Sequence, residues 1–485
     1  MLDLSKIKKA YFIGIKGAGM AAVAEIFHAR GIEIGGSDTA EKFFTDEILA
    51  KNGINFFETF SAENIPEDAE LIVYSTAYNA ENNTEFAEAK KLGLVMMSYP
   101  EILGELFNEK MGIAVCGTHG KTTTTAMLAE CLRIAGADPS AIVGSKVIGW
   151  QGSSLSGKGK YFVAEADEYQ NKFQYYNPFA VILTSVDWDH PDYFPTFGEY
   201  KKVFADFAAR ISKTGFLVVW GDSVSTLDIS KNAVCNVLSY GFSEDCDYII
   251  SNFQFPISKP QVVEQRSLRG RQILNPNGQN FQKFDLKFKE KNLGTFQINL
   301  VGRHNVLNAA AAIAVCYKLK IDMEKVREAL KNFQGTARRF EYIGERNGAI
   351  LIDDYAHHPE EIKATLKAAQ EVYPEKNIIT IFHPHTFTRT KALLQEFAQS
   401  FDDADEAIII DIYGSAREVQ GGVSSKELVD LINKYDRDKA EYIPAIEEVV
   451  EYLKDKIGEN DVVISMGAGD VWKVAEGLKE KIIDV

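Results

Sequence analysis

Residues 111–136, MGIAVCGTHGKTTTTAMLAECLRIAG, constrain the fold of this chain more than any other stretch. An apolar strand, a glycine-bounded turn and a long helix follow one another without a break. A strand feeding a helix so directly belongs to a parallel sheet with helices on its faces, because the next parallel strand needs the helix as its crossover. The same alternation stands before it. KAYFIGI reads as a strand, GMAAVAEIFHARG as a helix ending at Gly31, IEIGGSD as a second strand and AELIVYST as a later one. It continues afterwards in KYFVAEA, FAVILTSV and GFLVVWG, and starts a third time near residue 336 with GAILIDDYAHH, NIITIFHPH, EAIIIDIYG and DVVISMGAGD. From about 236 to 300 the pattern changes to short strands with polar breaks, QVVEQRSLRG, NPNGQN, FDLKFKE and TFQINLVG, which predicts an antiparallel insert or edge. NVLNAAAAIAVCYKLK predicts a buried helix. The chain therefore reads as an α/β protein of three successive units.

A length of 485 residues agrees, being too much for one core. The net charge of −16 argues against a nucleic-acid or anionic-membrane surface, both of which need basic patches. It leaves room for anionic small ligands, since a few local cations and backbone N–H groups suffice to hold a phosphate. No run approaches the roughly 20 apolar residues of a membrane span, and the first residues lack a signal-peptide pattern. Cys116, Cys131, Cys235, Cys246 and Cys316 are scattered and form no C-x-x-C pair. They fit reduced thiols packed as small apolar residues, so a cytoplasmic location is expected.

GTHGKTTTT, Gly117 to Thr125, is the sharpest chemical signal. Between a strand and a helix it aims backbone N–H groups and the positive helix end at a phosphate. Lys121 suits the β- and γ-phosphates and the Thr122 hydroxyl suits Mg²⁺. Val115 stands where the first glycine of the full phosphate-loop pattern would be. Glu165, Asp167 and Glu168 close the next strand, and Asp187, Asp189, His190 and Asp192 follow another. Either group alone reads equally well as a solvated acidic loop. Beside a phosphate loop, they suit one or two Mg²⁺ ions between ATP and an anionic acceptor.

FIGIKGAGMAAVAE is an incomplete dinucleotide fingerprint. Gly14 and Gly19 are in register and Asp38 lies about twenty residues on, but Lys16 replaces the middle glycine. Because a second nucleotide loop occurs at Gly117, a UDP-type diphosphate suits this turn better than NAD; a purely structural turn stays open. In the third unit, Arg338 and Arg339 fall in a predicted interdomain turn. Arg339 suits charge on a transferring phosphoryl group, Asp354 suits a ribose, and Arg389 suits a bidentate grip on an amino-acid carboxylate. Tyr355, His357 and His385 occupy loops after apolar strands. No zinc spacing appears among the eight histidines.

FIGIKGAGM, GTHGKTTTT, EADE, DHPDYF, GRHNVLNAAAAIA, GTARRFEYIG, DDYAHHP, PHTFTRT and MGAGDVWK, in this order along the whole chain, resemble the Mur ligases of peptidoglycan precursor synthesis. The resemblance implies three domains: 1–109, Rossmann-like, for a UDP-sugar; 110–334, a central phosphate-loop ATPase domain with a parallel sheet and a small antiparallel portion; and 335–485, Rossmann-like, for the amino acid. It places Gly117, Thr118, His119, Gly120, Lys121, Thr122 and Thr123 at the ATP phosphates. It puts His304, Asn305 and Asn308 near the adenine, Arg339 toward the phosphates and Asp354 at the ribose. Thr122 is implied at one Mg²⁺, and Glu165 and His190 at a second. Gly14, Gly17, Ala18, Gly19, Met20, Asp38 and Ser75 would face the UDP-sugar. Tyr355, His357, His385 and Arg389 would form the amino-acid pocket. Ser185 stands where the family usually has Asn.

The implied reaction joins L-alanine to the lactyl carboxylate of UDP-N-acetylmuramate through an acyl phosphate, with ATP and Mg²⁺ and with Lys121, Glu165, His190, Arg339 and His357 catalytic. EADEYQNKF is closer to relatives that join a preformed L-Ala-γ-D-Glu-diaminopimelate tripeptide to the same sugar, whereas PHTFTRT, DIYGSARE and GAGDVWK favour alanine. Two other classes stay open. A dehydrogenase or NAD sensor would lose NAD binding on Gly14→Val, and a non-catalytic regulator would bind ligands without releasing ADP. A monomer or weak homodimer without nucleic-acid or membrane partners is expected.

Overall fold

The computed structural model describes residues 3–150, 152–254, 282–414, 418 and 420–479. The expected strands QVVEQRSLRG and NPNGQN, and part of DIYGSARE, lie outside these residues. Two compact units form: Met1–Ser185 with Lys202–Tyr248 and Ala311–Ala329, and Val186–Lys201 with Ile249–Ala310 and Leu330–Val485. No helix among the described residues is long and apolar enough to cross a membrane.

The first unit opens with β1 (Lys9–Ile13), β2 (Glu33–Ser37), β3 (Leu71–Tyr74) and β4 (Met96–Ser98), a parallel sheet of order β2-β1-β3-β4. Helix Ala18–Ala29 crosses from β1 to β2 and buries Met20 to Phe27, as its alanine-rich apolar run predicts. β5 (Met111–Cys116), β6 (Ser140–Ile142), β7 (Ser154–Leu155), β8 (Tyr161–Glu165), β9 (Ala180–Leu183), β10 (Phe216–Trp220) and β11 (Asn236–Gly241) then run in the order β11-β10-β9-β5-β8-β6-β7. Pairing along this run is parallel except that of β6 with β7. The central strands are buried on both faces, which is why they read as unbroken apolar runs and not as alternation. One expectation is corrected here. The antiparallel character placed from about 236 begins later, because β11 pairs parallel with β10. Helix Val224–Ser230 supplies the crossover that a parallel pair needs, and its polar residues hide it from periodicity. All five cysteines are free; Cys116, Cys131, Cys246 and Cys316 are buried, and Cys235 is half-buried.

β12 (Tyr248–Gln254) precedes β13 (Gln282–Phe288) and β14 (Lys291–Ile298), an antiparallel pair that fulfils the expected insert. The rest of the second unit is one sheet: β15 (Glu341–Arg346), β16 (Ala349–Asp354), β17 (Asn377–Phe382), β18 (Glu406–Ile409), β19 (Ala440–Tyr442) and β20 (Asp461–Met466), in the order β15-β16-β20-β17-β18-β19. Only β15 enters antiparallel. Ile352, Phe382 and Ile464 pack one face against Ile362 and Leu366 of helix Pro359–Val372, while Leu351, Ile381 and Val463 pack the other against Val474 and Leu478. Helices thus cover both faces, the condition for a buried parallel sheet.

Candidate active site

Register decides where the phosphate loop opens. Val115 pairs with Glu165 and Cys116 with Leu183, so the loops leaving β5, β8 and β9 emerge side by side at the carboxyl edge. Gly117 takes φ 130°, and a Cβ there would sit 2.3 Å from Thr184 Oγ1 and 2.7 Å from the Ser185 carbonyl. Gly120, at φ 78°, caps helix Lys121–Ile134 without a side-chain bond. The Ser185 carbonyl accepts from Thr118 N at 2.9 Å, its hydroxyl accepts from His119 N at 3.0 Å, and Thr184 Oγ1 donates to the His119 carbonyl at 2.6 Å. Ser185, noted as a departure, therefore braces the loop. Lys121 Nζ donates to the carbonyls of Gly117 (2.6 Å) and Thr118 (3.2 Å) and lies 3.5 Å from Glu168. Thr122 Oγ1 donates to Glu165 Oε2 at 2.9 Å, and the same oxygen accepts from Gly144 N at 2.9 Å. A Cβ on Gly144 would meet it at 2.5 Å. Paired hydroxyl and carboxylate oxygens at the mouth of such a loop fit a hard divalent cation such as Mg²⁺.

The N-terminal turn repeats this logic: Ile13 is in register with Ser37 and Tyr74, which brings Gly14, Asp38 and Ser75 together. Gly14 takes φ 85° and lies under Tyr78 and Ser75, while Gly19 makes room for the Tyr99 ring, 2.3 Å from a notional Cβ. Gly17 is the N-cap of the helix begun by Ala18 and carries no side-chain cap, and Met20 is buried. Lys16 turns inward, to Asp46 at 3.1 Å and the carbonyls of Thr39 and Glu41 at 2.9 Å, over the Phe56 ring. Its ammonium ties down the segment after β2. Asp38 accepts from Lys16 N at 2.7 Å and Thr39 N at 2.8 Å, so its carboxylate braces the turn.

In the second unit, Asp354 and Phe382 both pair with Met466, so the loops 355–358, 467–470 and 383–389 emerge together. Asp189 is buried and grips Arg389 in two bonds, Nε at 2.8 Å and Nη2 at 3.2 Å. Burial alone would raise the Asp189 carboxyl; the Arg389 guanidinium overrides this and holds it well below the usual range. The guanidinium expected to clamp a substrate thus holds a protein carboxylate. Its Nη1 donates to His385 Nδ1 at 3.2 Å. His385 stacks on Tyr413, and its ring centre is 6.4 Å from that of His357. His357 Nδ1 lies 3.0 Å from the Tyr355 carbonyl and 3.2 Å from Glu361 Oε2. Burial pushes His357 down to about 3 and His385 to about 4, so both are neutral near pH 7.

Tyr355 carries a guanidinium over its ring from each arginine, Arg338 at 5.1 Å and Arg339 at 5.2 Å. Arg338 bonds Asp353 and the carbonyls of Gly467 and Gly469, whereas Arg339 approaches Glu361 at 4.0 Å. Arg338, read as a turn residue, is the pin that joins two loops. Asp354 accepts from Phe340 N and Ala356 N, both at 2.7 Å, and burial raises it to about 6. Both oxygens of the expected ribose acceptor are therefore engaged by backbone. His190 takes φ 53° and its N–H donates to Asp189 at 2.7 Å. At the start of helix Arg303–Lys318, Asn305 Nδ2 donates to His304 Nε2 and to the Val301 carbonyl, and Asn308 Nδ2 donates to Asn305 Oδ1. Gly144, Thr184, Asp353 and Glu361 were not singled out from sequence. Glu361 alone had a signal, lying four residues after His357 at the start of a helix.

Sheets that each present ligand loops at the carboxyl edge, one of them a phosphate loop with a Thr–carboxylate pair, define a nucleotide-using α/β enzyme. The chain belongs to the Mur ligase family. Residues 9–111 match the Mur ligase family catalytic domain, 115–316 the Mur ligase middle domain and 338–469 the Mur ligase glutamate ligase domain. It is 40 % identical to the UDP-N-acetylmuramate–L-alanine ligase of Desulfitobacterium hafniense over 96 % of this chain and 98 % of that one. The crystal structure of UDP-N-acetylmuramate-alanine ligase from Thermotoga maritima matches with TM-score 0.78 and 27 % identity over 97 % of this chain and 98 % of that one. A murein peptide ligase from Psychrobacter arcticus matches with TM-score 0.69 over 98 % of this chain and 99 % of that one, but at 24 % identity it shares the fold alone.

Proposed function

We infer that this chain joins L-alanine to the lactyl carboxylate of UDP-N-acetylmuramate at the expense of ATP, a step of peptidoglycan precursor synthesis in the cytoplasm. The carrying observation is 40 % identity, sustained over 96 % of the chain, to a ligase of that name. The carboxylate attacks the γ-phosphate of ATP, giving ADP and an acyl phosphate. The alanine amine attacks that carbonyl, and the tetrahedral intermediate collapses with loss of phosphate. The chain's share is positioning and charge. Gly117 to Thr123 cradle the triphosphate and Lys121 supplies positive charge to it. Thr122 and Glu165 would hold Mg²⁺, whose chemistry is to neutralise phosphate oxygens, and His190 is a further proposed ligand. His304, Asn305 and Asn308 are assigned to the adenine, Arg339 to the phosphates and Asp354 to the ribose side. The turn from Gly14 to Met20, with Asp38 and Ser75, takes the UDP-sugar. Tyr355, His357, His385 and Arg389 belong to the amino-acid end. The chain acts on small molecules as a monomer or weak homodimer.

The test is phosphate release with UDP-N-acetylmuramate, ATP and Mg²⁺, supplemented with L-alanine or with the L-Ala-γ-D-Glu-diaminopimelate tripeptide. Alanine-dependent release that disappears in Lys121→Ala is expected. Release with the tripeptide alone would overturn the choice of amine.

A further inference from the structure

The hydrogen bonds around two imidazoles leave each of them only one neutral form. His357 Nδ1 faces two groups that can only accept, the Tyr355 carbonyl at 3.0 Å and the Glu361 carboxylate at 3.2 Å. A nitrogen so placed must carry the proton, which leaves the lone pair on Nε2. His385 is the reverse case. Its Nδ1 faces Arg389 Nη1 at 3.2 Å, and a guanidinium can only donate, so the lone pair is on Nδ1 and the proton on Nε2. Both settings are over-determined. Glu361 Oε2 also accepts the backbone N–H of His357 at 3.1 Å, and Arg389 is itself fixed by its two bonds to Asp189. The rings stand 6.4 Å apart at 76°, and 18 % of the His357 side chain remains accessible. One imidazole therefore offers an acceptor and its neighbour a donor, the complement of an amino-acid zwitterion with its ammonium and carboxylate.

We propose that Glu361 and Arg389 are positioning residues that lock His357 and His385 in opposite tautomers, so that His357 Nε2 takes a proton from the incoming ammonium while His385 Nε2–H holds the carboxylate. The proposal rests on the ligase reading above. In the step it describes, one N–H bond of the ammonium breaks and its proton forms a transient imidazolium at His357, a form that burial disfavours in the free chain and that the Glu361 carboxylate favours. The freed nitrogen pair makes the C–N bond, the acyl C–O bond breaks, and the departing phosphate takes the second proton of that nitrogen. Glu361 stabilises the imidazolium through Nδ1–H, as carboxylates oriented behind a histidine base do. Arg339, 4.0 Å from the other Glu361 oxygen, keeps that carboxylate in place.

The experiment uses the full chain labelled with ¹⁵N-histidine, whose ring nitrogens report tautomer by chemical shift near pH 7.5. His357→Asn and His385→Asn serve to assign the signals. His357 as the Nδ1–H form and His385 as the Nε2–H form is the expected result; one shared tautomer, or an imidazolium at either, would overturn the proposal. In the alanine-dependent assay, Glu361→Ala is expected to lower kcat about tenfold with the KM for ATP unchanged, and Glu361→Gln, which keeps an acceptor, to recover most of it. His385→Asn is expected to raise the KM for L-alanine with a smaller change in kcat. A kcat in Glu361→Ala within twofold of the parent would also overturn it. The tautomers are read without turnover. A chain that shows them yet releases no phosphate with L-alanine supports the locking and refutes the ligase reading.

Discussion

Asp189 and Arg389 lie 200 residues apart in the chain, and each tolerates burial because the other is there. Removing one partner of such a pair costs about 3–5 kcal/mol, since the remaining charge has nowhere to go. Asp189→Asn is expected to cost about that much in urea unfolding, and the double variant Asp189→Asn/Arg389→Met to recover a large part of it. At Gly144 the outcome differs. A methyl group there would push Glu165 off Thr122, 2.5 Å away, but that side-chain end can swing aside. Gly144→Ala is expected to leave the unfolding midpoint nearly unchanged while lowering phosphate release at limiting Mg²⁺, with partial recovery as Mg²⁺ is raised. Asp189 and Arg389 were legible in sequence as candidate residues, but their pairing was not, and Gly144 was not singled out. Arg389 reads as a substrate clamp because a guanidinium suits any carboxylate, and only the fold shows that Asp189 occupies it. Lys16 reads as an obstacle to a diphosphate, yet its ammonium is turned to Asp46.

At the scale of elements, one device recurs. Strands in parallel register end together, so Ile13 with Ser37 and Tyr74, Cys116 with Leu183, and Met466 with Asp354 and Phe382 each align loops at a carboxyl edge. Loops held this way adopt backbone that an isolated peptide would not. Arg338, Phe340 and Thr386 take left-handed φ of 60°, 51° and 67°, and side-chain carboxylates or caps hold each of these turns. Such residues cost about 1–3 kcal/mol each and persist where surroundings over-determine them. Gly117 is the same device without a side chain: at φ 130°, with Thr184 and Ser185 at 2.3–2.8 Å from a notional Cβ, it admits nothing larger. Gly117→Ala is expected to abolish ATP-dependent phosphate release, with circular dichroism of the folded chain retained. Strand and helix positions were legible because burial on two faces writes continuous apolar runs. The β10–β11 pairing was not, since a polar crossover helix has no such signature.

For the molecule as a whole, protonation sets a directional expectation. His357, His383 and His385 are held neutral by burial, at about 3, 4 and 4. Unfolding returns them to about 6.5, so below that pH the unfolded chain binds protons that the folded chain refuses. Their contribution is complete above pH 6.5 and lost as pH falls toward 4. Asp354, raised to about 6 by burial, works oppositely and gains stability over the same fall, as do Glu25, Asp38, Asp353, Glu371 and Glu406, whose carboxyls burial also raises, so the histidines are read by difference. Between pH 6.5 and 4 the unfolding midpoint of the parent is therefore expected to fall relative to that of His383→Asn, whereas parallel profiles would contradict a buried neutral His383. By itself the sequence determined the three α/β starts, the phosphate loop and the family, because hydrophobic period and glycine placement are local and survive translation along the chain. Tertiary structure alone decided which side chains are spoken for. Asp189 finds Arg389 across 200 residues of chain, and Ser185 finds His119 through the register of β5 with β9, relations that no single stretch of chain contains.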